Sequence, residues 1–251
     1  MAVSRSHLHL TILFLAIVAA SSAQATVSDA ADPSMKQFLA QNDAQPRYRA
    51  IRRLEAENGS RKGWLEASTG YSEETGFQFR ITGGGGSEYI REKVLMAVLE
   101  AERDAIARGE TARASLSLAN YRFQPNGIDV EGLANVLLEP RRREHVLVSG
   151  TMFLKPAEGD LVRLQGRLAK SPSFWIKDVD VTRTYERIDG TIVPVGLEAT
   201  ARLRFFSEAT LRMTYDYTEI NGRSVSSVRQ RTSSVVPATP SAAVPRRTTT
   251  N

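Results

Sequence analysis

The sequence predicts an α+β fold: a curved antiparallel sheet forming an open half-barrel of about nine to eleven strands, with one long helix and a short N-terminal helix covering its concave face. Three features predict it. Runs of alternating apolar and polar residues are punctuated by Asn-Gly and Asp-Gly pairs, one long stripe of apolar residues repeats at helical spacing, and cysteine is absent. Without disulfide staples, the core alone must hold the fold together.

Residues 1–25 have the three parts of a cleavable secretory signal. Arg5, His7 and His9 give a weakly basic start, 10–20 is an almost unbroken apolar run, and Ala23-Gln24-Ala25 is a small-x-small cleavage site. A membrane anchor needs ~20 consecutive apolar residues, and Ser21, Ser22 and Gln24 interrupt the run first. The expected product is a periplasmic or secreted chain of 226 residues, the 251 of the sequence less 25. That length suits one large domain. A linker and short helix fill 26–46, the half-barrel 47–231, and a disordered tail 232–251, rich in Ser, Thr, Pro and Ala without periodicity. The formal charge of +5 becomes +4 when Arg5 leaves with the signal. Such a surface is compatible with an anionic membrane without demanding one, and export argues against nucleic acid as a partner.

In chain order, Asp32 followed by Pro33 reads as an N-cap and first-turn proline, with Met35, Phe38 and Leu39 on one helix face before Asn42. Strands follow at 48–57, 64–71 and 77–82. The first places Tyr48, Ala50, Leu54 and Ala56 on one face; the third alternates Phe77, Phe79 and Ile81 with Gln78, Arg80 and Thr82; 72–76 is a hairpin loop. Gly83 to Gly86 end that strand, and Ser87 caps a helix over 88–108. Its stripe runs through Ile90, Val94, Ala97, Val98, Ala101 and Ala105 and is widened by Leu95, Leu99 and Ile106. The glycines read either as a hinge that lets the helix move or as a plain connector. A phosphate cradle is disfavoured, because no Lys-Ser/Thr follows them and Glu88 repels an anion.

The segment 115–120 has no assignable pattern. Strands then recur at 121–123, 132–139, 144–155, 160–170, 176–188, 191–206 and 209–220, with Pro125-Asn126-Gly127, Asp189-Gly190 and Asn221-Gly222 as turns. Over 191–206, Val193, Val195, Leu197, Ala199, Ala201, Leu203 and Phe205 point one way and Glu198, Thr200, Arg202 and Arg204 the other, the pattern of a half-buried strand. In the last strand Leu211, Met213, Tyr215 and Tyr217 alternate in the same way.

A helix of about 20 residues is only ~30 Å long and ~10 Å wide, too small to cover the apolar face of so wide a sheet. A closed barrel or dimerisation through the sheet would solve this, and the oligomeric state stays open. The half-barrel solution predicts an apolar ligand-binding cavity lined by Leu164, Leu168, Val179, Val181, Leu197, Leu203, Leu211 and Met213, with Val94 and Val98 from the helix. For each of these residues, ordinary core packing is the simpler role.

Residue types that carry chemistry are scarce. His145 is the one histidine beyond the signal, no cysteine exists, and no Gly-x-Ser-x-Gly elbow occurs. No catalytic residue, metal site or cofactor is expected. Asp178 and Asp180 share a strand face, but neighbouring carboxylates on a polar face are normally just hydrated. Arg141 to Arg143, with Arg163, Arg167, Arg183, Arg187, Arg202, Arg204 and Arg212 on the strands' polar sides, could meet anionic headgroups. Nearby Asp160, Asp180, Glu186 and Glu198 make cross-strand charge pairing the favoured reading.

The short helix leading into the Tyr48-Arg-Ala-Ile-Arg-Arg-Leu-Glu55 strand, the long helix after a three-strand start and the late meander resemble the periplasmic lipoprotein-carrier superfamily that includes LolA, LolB and the RseB sensor domain. In the meander, Leu164-Gln165-Gly166-Arg167, then Tyr185-Glu186-Arg187-Ile188-Asp189-Gly190, then Val193-Pro194 look like outer-membrane lipoprotein-sorting proteins. The segment 167–175, Arg-Leu-Ala-Lys-Ser-Pro-Ser-Phe-Trp, is similar to a set of secreted bacterial proteins. The likeness spans roughly 33–223 and implies an open barrel of eleven-strand type, with helices plugging the concave side and an acyl-chain or lipid-binding cavity. The expected function is an exported cell-envelope protein that binds a lipid, acyl chain or other hydrophobic ligand, as a lipid or lipoprotein carrier. The alternative is an envelope sensor or assembly protein that binds another protein through the same fold, and a carboxylate hydrolase using Asp178 and Asp180 is third.

Overall fold

The computed structural model describes residues 33–41, 45–204 and 208–225. The expected signal, Asp32, Phe205 and the expected tail lie outside them. Helix α1 (Pro33–Ala40) precedes strands β1 (Tyr48–Asn58), β2 (Arg61–Ser72) and β3 (Gly76–Gly86). The long helix, here α2, is one rod in three segments: Glu88–Ile90, a π turn over Arg91–Leu95, and Met96–Ala107. Its backbone stays right-handed through both junctions, at Arg91 (φ −60, ψ −50) and Met96 (φ −62, ψ −44). Ser87 makes no side-chain cap; its carbonyl accepts the Arg91 amide instead. A 3₁₀ turn, Glu110–Ala114, leads to β4 (Tyr121–Ile128), β5 (Ala134–Pro140), β6 (Val148–Leu154), β7 (Leu161–Leu168), β8 (Ile176–Ile188), β9 (Thr191–Leu203), β10 (Ala209–Ile220) and β11 (Arg223–Ser224).

All neighbouring strands pair antiparallel in the order β3-β2-β1-β10-β9-β8-β7-β6-β5-β4, with β11 on β10. The first strand thus pairs with the last long one, Tyr48 opposite Ile220 and Asn58 opposite Ala209. Strands β3 and β4 remain the edges, so the sheet is an open α+β half-barrel and not a closed one. Helix α2 spans the chain's passage from one edge to the other, because successive strands on opposite edges need a long crossover.

Two apolar clusters hold the layers together. The larger places Ile90, Val94, Leu95, Val98 and Leu99 of α2 against Leu54, Leu65 and Phe77 and the inward residues of β8 to β10. The smaller packs Met35 and Phe38 of α1 and Leu116 against Tyr121, Val136, Met152, Leu154 and Leu164. Each helix covers one part of the concave face.

The glycine run departs from the sequence expectation. Gly83 to Gly86 continue β3 and pair with Glu66 to Gly63 of β2. A Cβ on Gly85 would stand 2.7 Å from the Trp64 indole nitrogen, so side chains are excluded there by close packing on β2. They do not break the strand.

The basic turn after β5 is also structural. Arg141 donates from Nε to the carbonyls of Leu118 (2.8 Å) and Tyr121 (3.1 Å). Arg142 reaches Glu144 (2.7 Å), Asn120 (2.8 Å) and the Arg113 carbonyl (3.0 Å). These contacts clamp the 115–120 segment, which hydrogen-bonds through Asn120 to Ala112 and Ser115 and not through a sheet ladder. No periodicity marks such a segment in sequence.

Candidate functional site

Between α1, the second half of α2 and the sheet lies a cavity of about 750 Å³. It sits where β1 and β9 begin and β2, β8 and β10 end. Phe38, Leu116 and Tyr185 come to it from the smaller cluster, and Tyr48, Val193, Tyr215 and Tyr217 from the larger. The space exists because α1 and α2 cover separate parts of the face and neither reaches the seam. Its volume falls in the ~300–1,000 Å³ range of small-molecule sites.

The floor is aromatic and charged. Tyr215 and Tyr217 stack at 6.2 Å, and Tyr48 meets Tyr217 edge-on at 5.6 Å. Arg52 donates to both carboxylate oxygens of Glu102, at 2.6 and 3.1 Å, and to the Tyr48 hydroxyl. Its guanidinium also lies over the rings of Tyr215 (4.7 Å) and Phe77 (4.8 Å). Both members of the pair are buried, with side chains 3% and 4% exposed. Burial disfavours the charged guanidinium, but the Glu102 carboxylate, together with Tyr48 and Tyr215, outweighs it and holds Arg52 above arginine's ordinary range. Burial pushes the Tyr48, Tyr185 and Tyr217 hydroxyls up, so they stay neutral phenols.

Arg183 is the second buried cation. It stands on β8 in the inward row with Val179, Val181 and Tyr185, and with Arg187 at the cavity it departs from the polar side expected for both. On that polar side the expected charge ladder is present: Arg202 binds Asp178 (2.5 Å) and Asp180 (3.3 Å), and Arg167 binds Asp180 (2.9 Å). The two aspartates are therefore ion-paired on the outer face, away from the cavity. His145 is half-buried in the turn ahead of β6.

The ten expected ligand-binding residues occupy the packed layer and not the cavity wall. Val94, Val98, Val179, Val181, Leu197, Leu211 and Met213 belong to the larger cluster, with Leu203 packed against it; Leu164 belongs to the smaller, and Leu168 touches both. Val94, Val179 and Leu211 line a cleft of about 30 Å³, enough for one or two waters. The cavity residues that the pattern passed over are Arg52, Glu102, Arg183 and Tyr185. Their signal was positional, since each falls in the inward register of an otherwise apolar row.

At the cavity's rim Arg187 chelates Asp160, with Nε to Oδ2 at 2.8 Å and Nη2 to the other oxygen. The hydrogen bonds from Arg187, then its charge, hold the Asp160 carboxyl below its usual range. A depressed carboxylate contributes stability that is complete above its unfolded value of about 4 and is lost as pH falls through the lower folded value. Asp160→Asn is therefore expected to melt below the wild type at pH 7, with the gap shrinking below about pH 4. Melting curves from pH 7 to 2.5 check this, and a gap that widens in acid would contradict the assignment.

Among the described residues no helix is long and apolar enough to cross a membrane, and no group of three or more His, Cys, Asp or Glu could hold a metal ion. The geometry defines an open antiparallel half-barrel with an aromatic, partly charged cavity under two helices. No family model and no curated protein matches the sequence. Solved structures with a similar fold include a LolA superfamily protein from Nitrosomonas europaea, 8% identical over 77% of this chain and 93% of that one with a TM-score of 0.40. A DUF1329 family protein from Desulfovibrio piger is also similar, 8% identical over 74% and 92% with a TM-score of 0.35.

Proposed function

We propose that this is an exported, non-enzymatic cell-envelope protein, periplasmic or secreted, that holds a lipid, acyl chain or other hydrophobic ligand and acts as a lipid or lipoprotein carrier. The observation that supports it is the 750 Å³ cavity on the concave face, walled by Phe38, Leu116, Val193 and five tyrosines. Tyrosine offers a large apolar ring with a polar tip, which suits a ligand that is apolar along most of its length. In this reading the inner residues from Leu164 to Met213, with Val94 and Val98 of α2, form the packed apolar interior beside the cavity, and the cleft at Val94, Val179 and Leu211 lies at the other end of β1 and β10.

Native mass spectrometry of protein secreted through its own signal and purified without detergent tests the proposal. The expected spectrum contains a bound mass that organic solvent removes. A spectrum of protein alone, from a preparation that also takes up no neutral fluorescent probe such as N-phenyl-1-naphthylamine, would contradict it.

A further inference from the structure

The charges buried at the cavity do not balance. The Glu102 carboxylate is bound by Arg52 and its charge also acts on Arg183, but among the described residues no second carboxylate forms an ion pair with Arg183, although it is only 4% exposed. Arg183 Nε and Nη1 and Arg52 Nε are buried without a hydrogen-bond partner, and the Tyr185 hydroxyl stands against the Arg183 guanidinium. All three side chains line the cavity, and Arg183 and Tyr185, two apart on β8, project from one face. An uncompensated buried guanidinium is costly to maintain, and orphaned buried donors are rare in folded proteins. A surplus positive charge on a side chain that lines the cavity, with the Tyr185 hydroxyl beside it, is the complement of a single anion.

We propose that the cavity is a receptor for a carboxylate-headed amphiphile of the fatty-acid class, whose acid group is held by Arg183 and Tyr185 while its chain lies along the aromatic wall. The proposal rests on the reading of the cavity as a ligand site and specifies its ligand. A monoanion cancels the surplus charge, and a carboxylate accepts several hydrogen bonds through two oxygens. A single chain suits a cavity of 750 Å³. The ion pairs on the outer face offer no comparable site, because their arginines are already matched.

Displacement of N-phenyl-1-naphthylamine by laurate, by 1-dodecanol and by acetate separates head from chain. The wild type is expected to bind laurate about tenfold or more tighter than dodecanol, the effect of one or more charge-assisted hydrogen bonds. Arg183→Met is expected to lose that preference while keeping the probe and dodecanol affinities. Tyr185→Phe, a milder change that decides the matter should Arg183→Met not fold, is expected to weaken laurate several-fold and leave dodecanol unchanged. Equal affinities for laurate and dodecanol in the wild type would overturn the carboxylate receptor and leave the ligand cavity standing. Displacement by acetate as effective as by laurate would overturn it in favour of a bare anion site. Binding of neither the probe nor any chain would remove the cavity reading itself.

Discussion

Glu102→Ala is expected to lower the unfolding free energy by about 3–5 kcal/mol, the usual cost of stranding a buried charge. Arg52 reaches the cavity floor from the inward row of β1, between Ala50 and Leu54, and its charge is tolerated because Glu102 meets it from α2 with two hydrogen bonds. Removing the carboxylate leaves a guanidinium that rings of Phe77 and Tyr215 can solvate only in part. The double replacement Arg52→Met with Glu102→Leu should recover most of the loss, because burying two apolar chains of similar volume costs about as little as burying the pair. Urea titration of Glu102→Ala and of the double variant reads this directly. A Glu102→Ala loss of under about 1 kcal/mol would mean that water, not Glu102, compensates Arg52.

Gly86→Ala is the second large effect. Gly86 closes β3 at φ +77, and a Cβ there would lie 2.4 Å from the Lys62 carbonyl oxygen and 3.0 Å from the Gly63 Cα. Left-handed backbone costs an alanine ~1–2 kcal/mol, and the clash is with the backbone of a paired strand, which cannot rotate away. The combined loss is expected to be about 3 kcal/mol or more. Gly109→Ala is the control: it shares the left-handed backbone, φ +68, but meets nothing within 4 Å, so it should cost only ~1 kcal/mol. If the glycine run were a hinge, Gly86→Ala would cost no more than Gly109→Ala.

The sheet was legible because a half-buried strand writes its register into alternation, as in β9 and β10, and because Asp189-Gly190 and Asn221-Gly222 supply the turns. Asp189 and Asn221 indeed adopt positive φ, 47 and 50. The helices were legible from stripes at three- and four-residue spacing. The glycines misled because sequence shows their freedom but not their neighbours; only the opposing Trp64 and Lys62 reveal that β3 needs residues without side chains.

The site was half legible. The need for a space under the helices followed from the width of the sheet, but its place depended on where α1 and α2 leave a seam, which no periodicity encodes. Inward leucines and valines pack against one another and fill the interior, so they marked the core. The cavity was marked instead by Arg52, Glu102 and Arg183, charged residues in apolar registers. Arg183 shares its residue type with Arg167, Arg202 and Arg212 of the polar face, and only its place in the inward row of β8 sets it apart.

The central claim is that a chain-bearing ligand occupies the seam between α1, α2 and strands β1 and β8 to β10. Irradiation of the protein with a fatty acid carrying a photoreactive group near the end of its chain, followed by peptide mapping, tests it most directly. Labelling is expected on peptides containing Tyr48, Val193 or Tyr215, and an excess of unlabelled laurate should suppress it. Labelling scattered over the outer face, or confined to peptides around the exposed Phe174 and Trp175, would contradict it.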